Sequence, residues 1–292
     1  MCAPAGLWDY ELALPPVQFW LTLTAFQPIV TAVPLQVVEA QRLYRQIAEQ
    51  LRALITAGEW TAGSRLPAER DLARQLGVSR PSVREALIAM EVENWVEVRT
   101  GSGVYVLDRT LQPSQARAAK VSPDEWGPLE LIRARRVVEG EIAAIAATQA
   151  KRRHLDAMGR AMSSMAADAD RGMLPLDGDR AFHTAVVEAC GNIVLIETVQ
   201  RFWDSRRGPL FERLGGHFET ADSWRAAIAE HKAILDAIRS HDAAAARQAM
   251  HQHMDNAHSR FSVSWSRTRP PPTGTARPAV RGGKSRLASV LP

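Results

Sequence analysis

Apolar residues recur at helical spacing from Leu43 through Ile47, Leu51, Leu54 and Ile55, and the glycines of "AGEWTAGS" then stop the pattern. A second run, "RLPAERDLARQLG", places Leu72, Ala73 and Leu76 on one face, with Pro67 suited to a helix start and Gly77 to its end. After a very short link "VSRPSVREALIAM" begins again, with Ser79 as cap, Pro81 in the first turn, and Val83, Ala86, Leu87 and Met90 facing inward. The period then changes to two in "WVEVRTGSGVYVL", where Val96 and Val98 precede a Gly-Ser-Gly turn and Val104 and Val106 follow it. Two helices joined by a tight turn and followed by a β-hairpin are predicted here.

Residues 108–126 carry Pro, Gln, Ser and Ala without periodicity and read as a linker. From Pro128 to about Phe261 the chain is nearly all helical pattern, rich in Ala and Leu, with breaks at "RGMLPLDGD", "CGN", "RRGPL", "LGGHF" and "RSHD", which accommodates about six helices. The segment from Ser262 onward, with "RPPPTG" and "RGGKSR", is poor in apolar residues and is expected to be disordered. The first 35 residues include the apolar run "PPVQFWLTLTAFQPIVTAVPLQVV", but Asp9 and Glu11 stand where a targeting segment would be basic, and Pro28 and Pro34 interrupt it. It is read as a poorly ordered extension, or an over-long assignment of the start codon, and no membrane association is expected. The fold class is therefore mainly α: residues 36–107 form one small domain, 108–126 a linker, and 127–261 an antiparallel all-α bundle, followed by a 262–292 tail.

Length and charge refine this picture. A chain of 292 residues accommodates two domains with separate cores. The isoelectric point near 9.4 suggests nucleic acid. Much of the excess, however, lies in the tail, where Arg267, Arg269, Arg277, Arg281, Lys284 and Arg286 meet no acidic residue. Without the tail the chain is slightly acidic, so a DNA-binding assignment has to rest on particular residues. Cys2 and Cys190 are far apart and form no CxxC, which gives no support for a disulfide framework or a thiolate metal site and fits a cytoplasmic setting.

The particular residues are at the start of the third helix. In a helix-turn-helix the second helix of the motif enters the major groove by its N-terminal end. Arg80 and Arg84 lie one turn apart there, with Ser82 between them, and arginine is the side chain shaped for a bidentate contact to guanine. Arg70, on the preceding helix, is placed for a phosphate, and Gly101 lies in the hairpin tip where backbone closely approaches DNA. The alternative is an ordinary solvated arginine face.

The stretch "GSRLPAERDLARQLGVSRPSVREALIAMEVENWVEVRTGSGVYV" closely resembles the winged helix-turn-helix of the GntR family of bacterial transcription regulators, over about residues 42–107. That resemblance implies double-stranded operator DNA as partner and Arg70, Arg80, Ser82, Arg84 and Gly101 as contacts. Two departures stand out: Ala68 occupies a position often held by Ser, and "VENW" replaces a usual Gly-containing turn. The second domain looks like the FCD ligand-binding domain of the FadR-type branch, through "RARRVVEGEIAAIAA", "DRAFHTAVVEACGN", "EHKAILDAI" and "ARQAMHQHM". In metal-binding members an Asp, a His four residues later and two later His converge on one divalent cation, which here implies Asp179, His183, His231 and His253. Three imidazoles and a carboxylate on facing helices suit zinc first, with nickel, manganese or iron as alternatives, and leave positions open for an oxygen-rich ligand.

These readings combine into a homodimeric regulator, a repressor, whose bundle binds a metal and a small carboxylate effector. Arg135 is the expected effector contact, the alternative for Arg135 and Arg136 being pairing with Glu139 or Glu141; Asn192 is either a pocket residue or a helix cap. A different class of function is a metal-dependent hydrolase with an appended DNA-binding module. The chain shows no HExxH, nucleophile elbow or second metal cluster to favour it.

Overall fold

The computed structural model describes residues 42–109, 121–122 and 124–262. Expectations for residues 1–35 and for the tail beyond Ser262, and most of those for the 108–126 linker, lie outside the described residues.

Helix α1 (Leu43–Thr56) buries Tyr44, Ile47, Ala48 and Leu51, the stripe of its apolar repeat. Helix α2 (Glu69–Leu76) starts at Ala68 without a side-chain cap and ends at Gly77, whose φ of 65° is the left-handed conformation that closes the turn. Helix α3 (Arg80–Val92) is capped by the Ser79 hydroxyl, which accepts from the Ser82 amide. Where "VENW" was noted as a departure, Asn94 adopts a φ of 57°, a role asparagine fills better than most residues. Strands β1 (Val96–Arg99) and β2 (Gly103–Val106) pair antiparallel, Val96 opposite Val106 and Val98 opposite Val104, so the four valines share the buried face.

The second domain has seven helices among the described residues: α4 (Pro128–Gln149), α5 (Arg152–Asp170), α6 (Leu176–Ala189), α7 (Ile193–Ser205), α8 (Pro209–Phe218), α9 (Ala221–Arg239) and α10 (Ala243–Ser262). The additional helix relative to the sequence estimate comes from a break at Ala150–Lys151, between α4 and α5, where the helical pattern of the sequence runs on without a glycine or proline to mark it. Helix α10 packs mainly along α4 and α9, and α6 packs on α5, α4 and α7. Small buried residues on α4, among them Gly140, Ala143 and Ala147, let α10 approach closely.

The two domains meet along α3. Glu85 reaches from α3 to the first turn of α4 and accepts from the amides of Leu129 at 2.7 Å and Glu130 at 3.0 Å, capping a helix whose own N-cap, Gly127, has no side chain. A Cβ on Gly127 would lie 2.6 Å from the Glu85 carboxyl, so only glycine permits this approach. Glu91 accepts from the Val98 amide and contacts His217 of α8 at 2.7 Å. No described helix is long and apolar enough to cross a membrane.

Candidate functional site

Four buried side chains converge inside the bundle. Asp179 and His183 stand four residues apart on α6, His231 comes from α9 and His253 from α10. Each offers one ligand atom, and these atoms all lie within 4.8 Å of one another. His231 Nε2 is 3.2 Å from both Asp179 Oδ1 and His183 Nε2. Around one ion at ~2.1 Å from each donor, such separations are those of adjacent coordination positions.

Satisfaction of the polar atoms tests the fit. Asp179 Oδ1 is buried and makes no hydrogen bond, while Oδ2 accepts from Arg206 at 2.6 Å. Its nearest polar neighbour, His231 Nε2 at 3.2 Å, is itself a candidate ligand atom, and a cation between the two satisfies the buried oxygen. His183 Nδ1 contacts the Glu139 carboxylate and His253 Nδ1 contacts Glu230 at 2.8 Å, which orients both rings with Nε2 toward the cluster. Carboxylates that hold the far nitrogen of a histidine are the usual outer support of a metal site. The residues therefore fit a divalent ion.

Protonation favours the same state. Burial, and secondarily the neighbouring His231, push His253 down to about 3, and burial lowers His183 despite its Glu139 neighbour, so these two imidazoles are neutral at physiological pH. Burial alone would raise the carboxyls, but His231 and Arg206 hold Asp179 well below the usual range, and Arg135 with His183 holds Glu139 at about 2. His183 and His253 thus present neutral nitrogens and Asp179 an ionised oxygen, the forms that ligate.

A cavity, partly open to solvent, adjoins the cluster and is lined by Asp179 and His253 together with Arg135, Arg206, Glu219 and Trp224. Arg135 lies at its edge but is buried and bonded to Glu139. Arg206 bonds Asp179 and reaches Glu219 at 3.5 Å. The Arg135–Glu139 pair is the alternative that the sequence left open for Arg135, found here inside the bundle rather than on its surface. The sequence does not mark Arg206 or Glu230: Arg206 follows a helix break, in "RRGPL", where periodicity assigns no facing, and Glu230 follows helical spacing but looks like an ordinary surface acid. Asn192 stands apart from the cavity: its side chain is exposed and accepts from the Val194 and Leu195 amides as the cap of α7. The expectation that it lines the pocket is corrected to its alternative.

At the candidate DNA surface, Arg70 is exposed at 74% and Arg80 at 48%, and Gly101 lies exposed in the hairpin tip with φ 80°. Ser82 is buried, its hydroxyl 2.9 Å from that of Ser79. Arg84 departs from the exposed position expected of a groove-reading residue. Its side chain is 2% exposed and forms a two-pronged bond to Glu69, at 2.7 Å and 2.6 Å. Spacing placed Arg84 on the same face as Arg80, but the bundle covers that face at Arg84 while leaving Arg80, one turn earlier, exposed.

Comparison with known proteins places the chain. The model of the bacterial regulatory proteins of the gntR family matches residues 43–106, and that of the FCD domain matches residues 130–256. The chain belongs to the GntR family. This GntR regulator is 38% identical to the Uxu operon transcriptional regulator of Escherichia coli strain K12 over 228 residues, which cover 76% of this chain and 88% of that protein. It is 36% identical to the Exu regulon transcriptional regulator of the same strain, covering 76% of this chain and 85% of that one. The Uxu operon regulator of Haemophilus influenzae is 34% identical, with 74% of this chain and 80% of that protein covered. The GntR regulator is thus a DNA-binding transcription regulator with an FCD domain rather than an enzyme, and the hydrolase alternative is set aside.

Proposed function

We propose that this GntR regulator is a cytoplasmic, homodimeric repressor that binds a two-fold operator and releases it in response to a small carboxylate. One winged helix reads few base pairs, so two-fold protein symmetry mirrored in the DNA is the economical route to selectivity. Arg80 would contact a base edge in the major groove and Arg70 a phosphate, with Gly101 bringing the hairpin backbone near the duplex.

Asp179, His183, His231 and His253 would hold one divalent ion, zinc being our first choice. When bound, the ion offers open coordination positions to carboxylate and hydroxyl oxygens. Arg206 adds a fixed cation at the cavity wall, and Arg135 a second at its edge. The observation that carries the reading is the buried, unbonded Oδ1 of Asp179 within a cluster that opens directly onto a cavity with cationic walls. An effector engaging these groups shifts operator affinity only as far as it binds one arrangement of the two domains better than the other.

Metal analysis of protein purified without a histidine tag tests this. One ion per chain is expected for the natural sequence and none for His231→Ala that retains its helical content. A folded His231→Ala protein with unchanged metal would refute the site.

A further inference from the structure

The two aromatic rings that close one side of the effector cavity also hold Arg84. Phe218, at the end of α8, and Phe261, at the end of α10, both line the cavity and meet edge to face, their centroids 6.4 Å apart. The Arg84 guanidinium lies over the Phe218 ring, 5.3 Å from its centroid, and donates from Nη1 to the Phe261 carbonyl. Its Nε and Nη2 donate to Glu69. The guanidinium is thereby held by both domains at once. Every residue of α3 from Ser82 to Val92 is buried, and α8 and the first turn of α4 pack against this helix.

We propose that this arrangement is a DNA-closed state, in which Phe218 and Phe261 latch Arg84 away from the groove, and that an effector filling the cavity, by packing on those rings, holds the latch shut. The inference rests on the reading of α3 as the DNA-reading helix and of the cavity as the effector site. Arginine has donors in a fixed planar fork, so it cannot serve Glu69, Phe261 and a base edge simultaneously. To reach DNA, Arg84 has to leave the Phe261 carbonyl, and α8 and the end of α10 have to move from α3. Both cavity walls connect to the metal cluster: α10 carries His253 two turns before Phe261, and Glu219, next to Phe218, is joined through Arg206 to Asp179. A ligand filling the cavity bears directly on the two rings, whereas a ligand at the exposed side of the bundle does not.

The test uses full-length protein and the duplex that it selects most strongly from a random pool. Phe218→Leu and Phe261→Leu keep an apolar side chain but remove the ring. Phe218→Leu removes the ring under the guanidinium and is expected to raise affinity for that duplex roughly three- to tenfold, the worth of a partly buried cation–ring contact. Phe261→Leu removes that ring's edge-to-face partner but keeps the carbonyl, and is expected to raise affinity less. Both are expected to speed hydrogen exchange at the amides of residues 84–92 in the DNA-free protein. Arg84→Ala is expected to lose affinity together with Arg80→Ala. Folded leucine variants with the natural affinity and natural α3 protection would overturn the latch while leaving the DNA reading intact if Arg80→Ala still loses affinity. If Arg80→Ala and Arg84→Ala both bind as well as the natural protein, the assignment of α3 to DNA fails and the latch with it.

Discussion

Glu85 makes the contact between the domains sensitive to pH, and its size follows from its surroundings. The carboxyl is 5% exposed, and burial pushes it up from 4.5 to about 7, against the lowering effect of the Glu130 and Leu129 amides that it caps; the Glu130 carboxyl raises it further and Arg133 opposes. Below pH 4.5 both the docked and the exposed carboxyl are protonated, and the group makes no difference to their balance. Between 4.5 and about 7 the docked form keeps a proton that the exposed form sheds, so stability falls as pH rises through this window. Above the docked value the full penalty remains, on the order of 3 kcal/mol for a shift of this size. Glu85→Gln keeps an oxygen acceptor for the two amides and removes the titration. The free-energy difference between the natural protein and Glu85→Gln, from urea unfolding under identical metal loading, is therefore expected to change by roughly 2–3 kcal/mol between about pH 5 and pH 8, with the glutamine variant gaining as pH rises. The lowered acids Asp179, Glu139 and Glu230 titrate in both proteins and cancel in the difference. Two stability curves that stay parallel across this range would refute the reasoning.

Other outcomes are expected from the same structure. Arg80→Ala should cost roughly 1–3 kcal/mol on the selected duplex and relax its base preference, whereas Arg70→Ala should weaken all duplexes evenly and lower the salt slope by about one, both read from binding titrations at several salt concentrations. Asn192→Ala should cost about 1 kcal/mol in unfolding free energy, as the loss of a helix cap, while metal content stays unchanged; loss of metal would show that the residue belongs to the site after all. Burial keeps His183 and His253 neutral well below the ordinary histidine value, so zinc affinity should hold as pH falls through 6.5 and weaken only at lower pH, where these donors take up protons; calorimetry at several pH values checks this.

Much of the fold was legible because its signals are local. The switch from a helical to a two-residue apolar period at Trp95 located the hairpin, and Ser79 and Gly77 marked the helix ends that the structure shows. Asp179 and His183 share a helix face by spacing alone, whereas their meeting with His231 and His253 is a property of the bundle and came from the family resemblance. Arg206, Glu230 and the support that Glu139 gives His183 escaped notice because a charged residue on an amphipathic helix has no local mark that separates a surface ion pair from support for a buried histidine. Arg84 shows the same limit in reverse. Its spacing from Arg80 correctly describes a helix face, but which surface covers that face depends on contacts 177 residues apart in the chain.

The central claim is that one divalent ion sits where α6, α9 and α10 converge beside the cavity. Anomalous diffraction at the zinc edge, from crystals of full-length protein grown with zinc, tests it directly. One strong peak is expected, at about 2.0–2.2 Å from Asp179 Oδ1 and from Nε2 of His183, His231 and His253. A map with zinc bound elsewhere on the chain and no peak among these four atoms would contradict it.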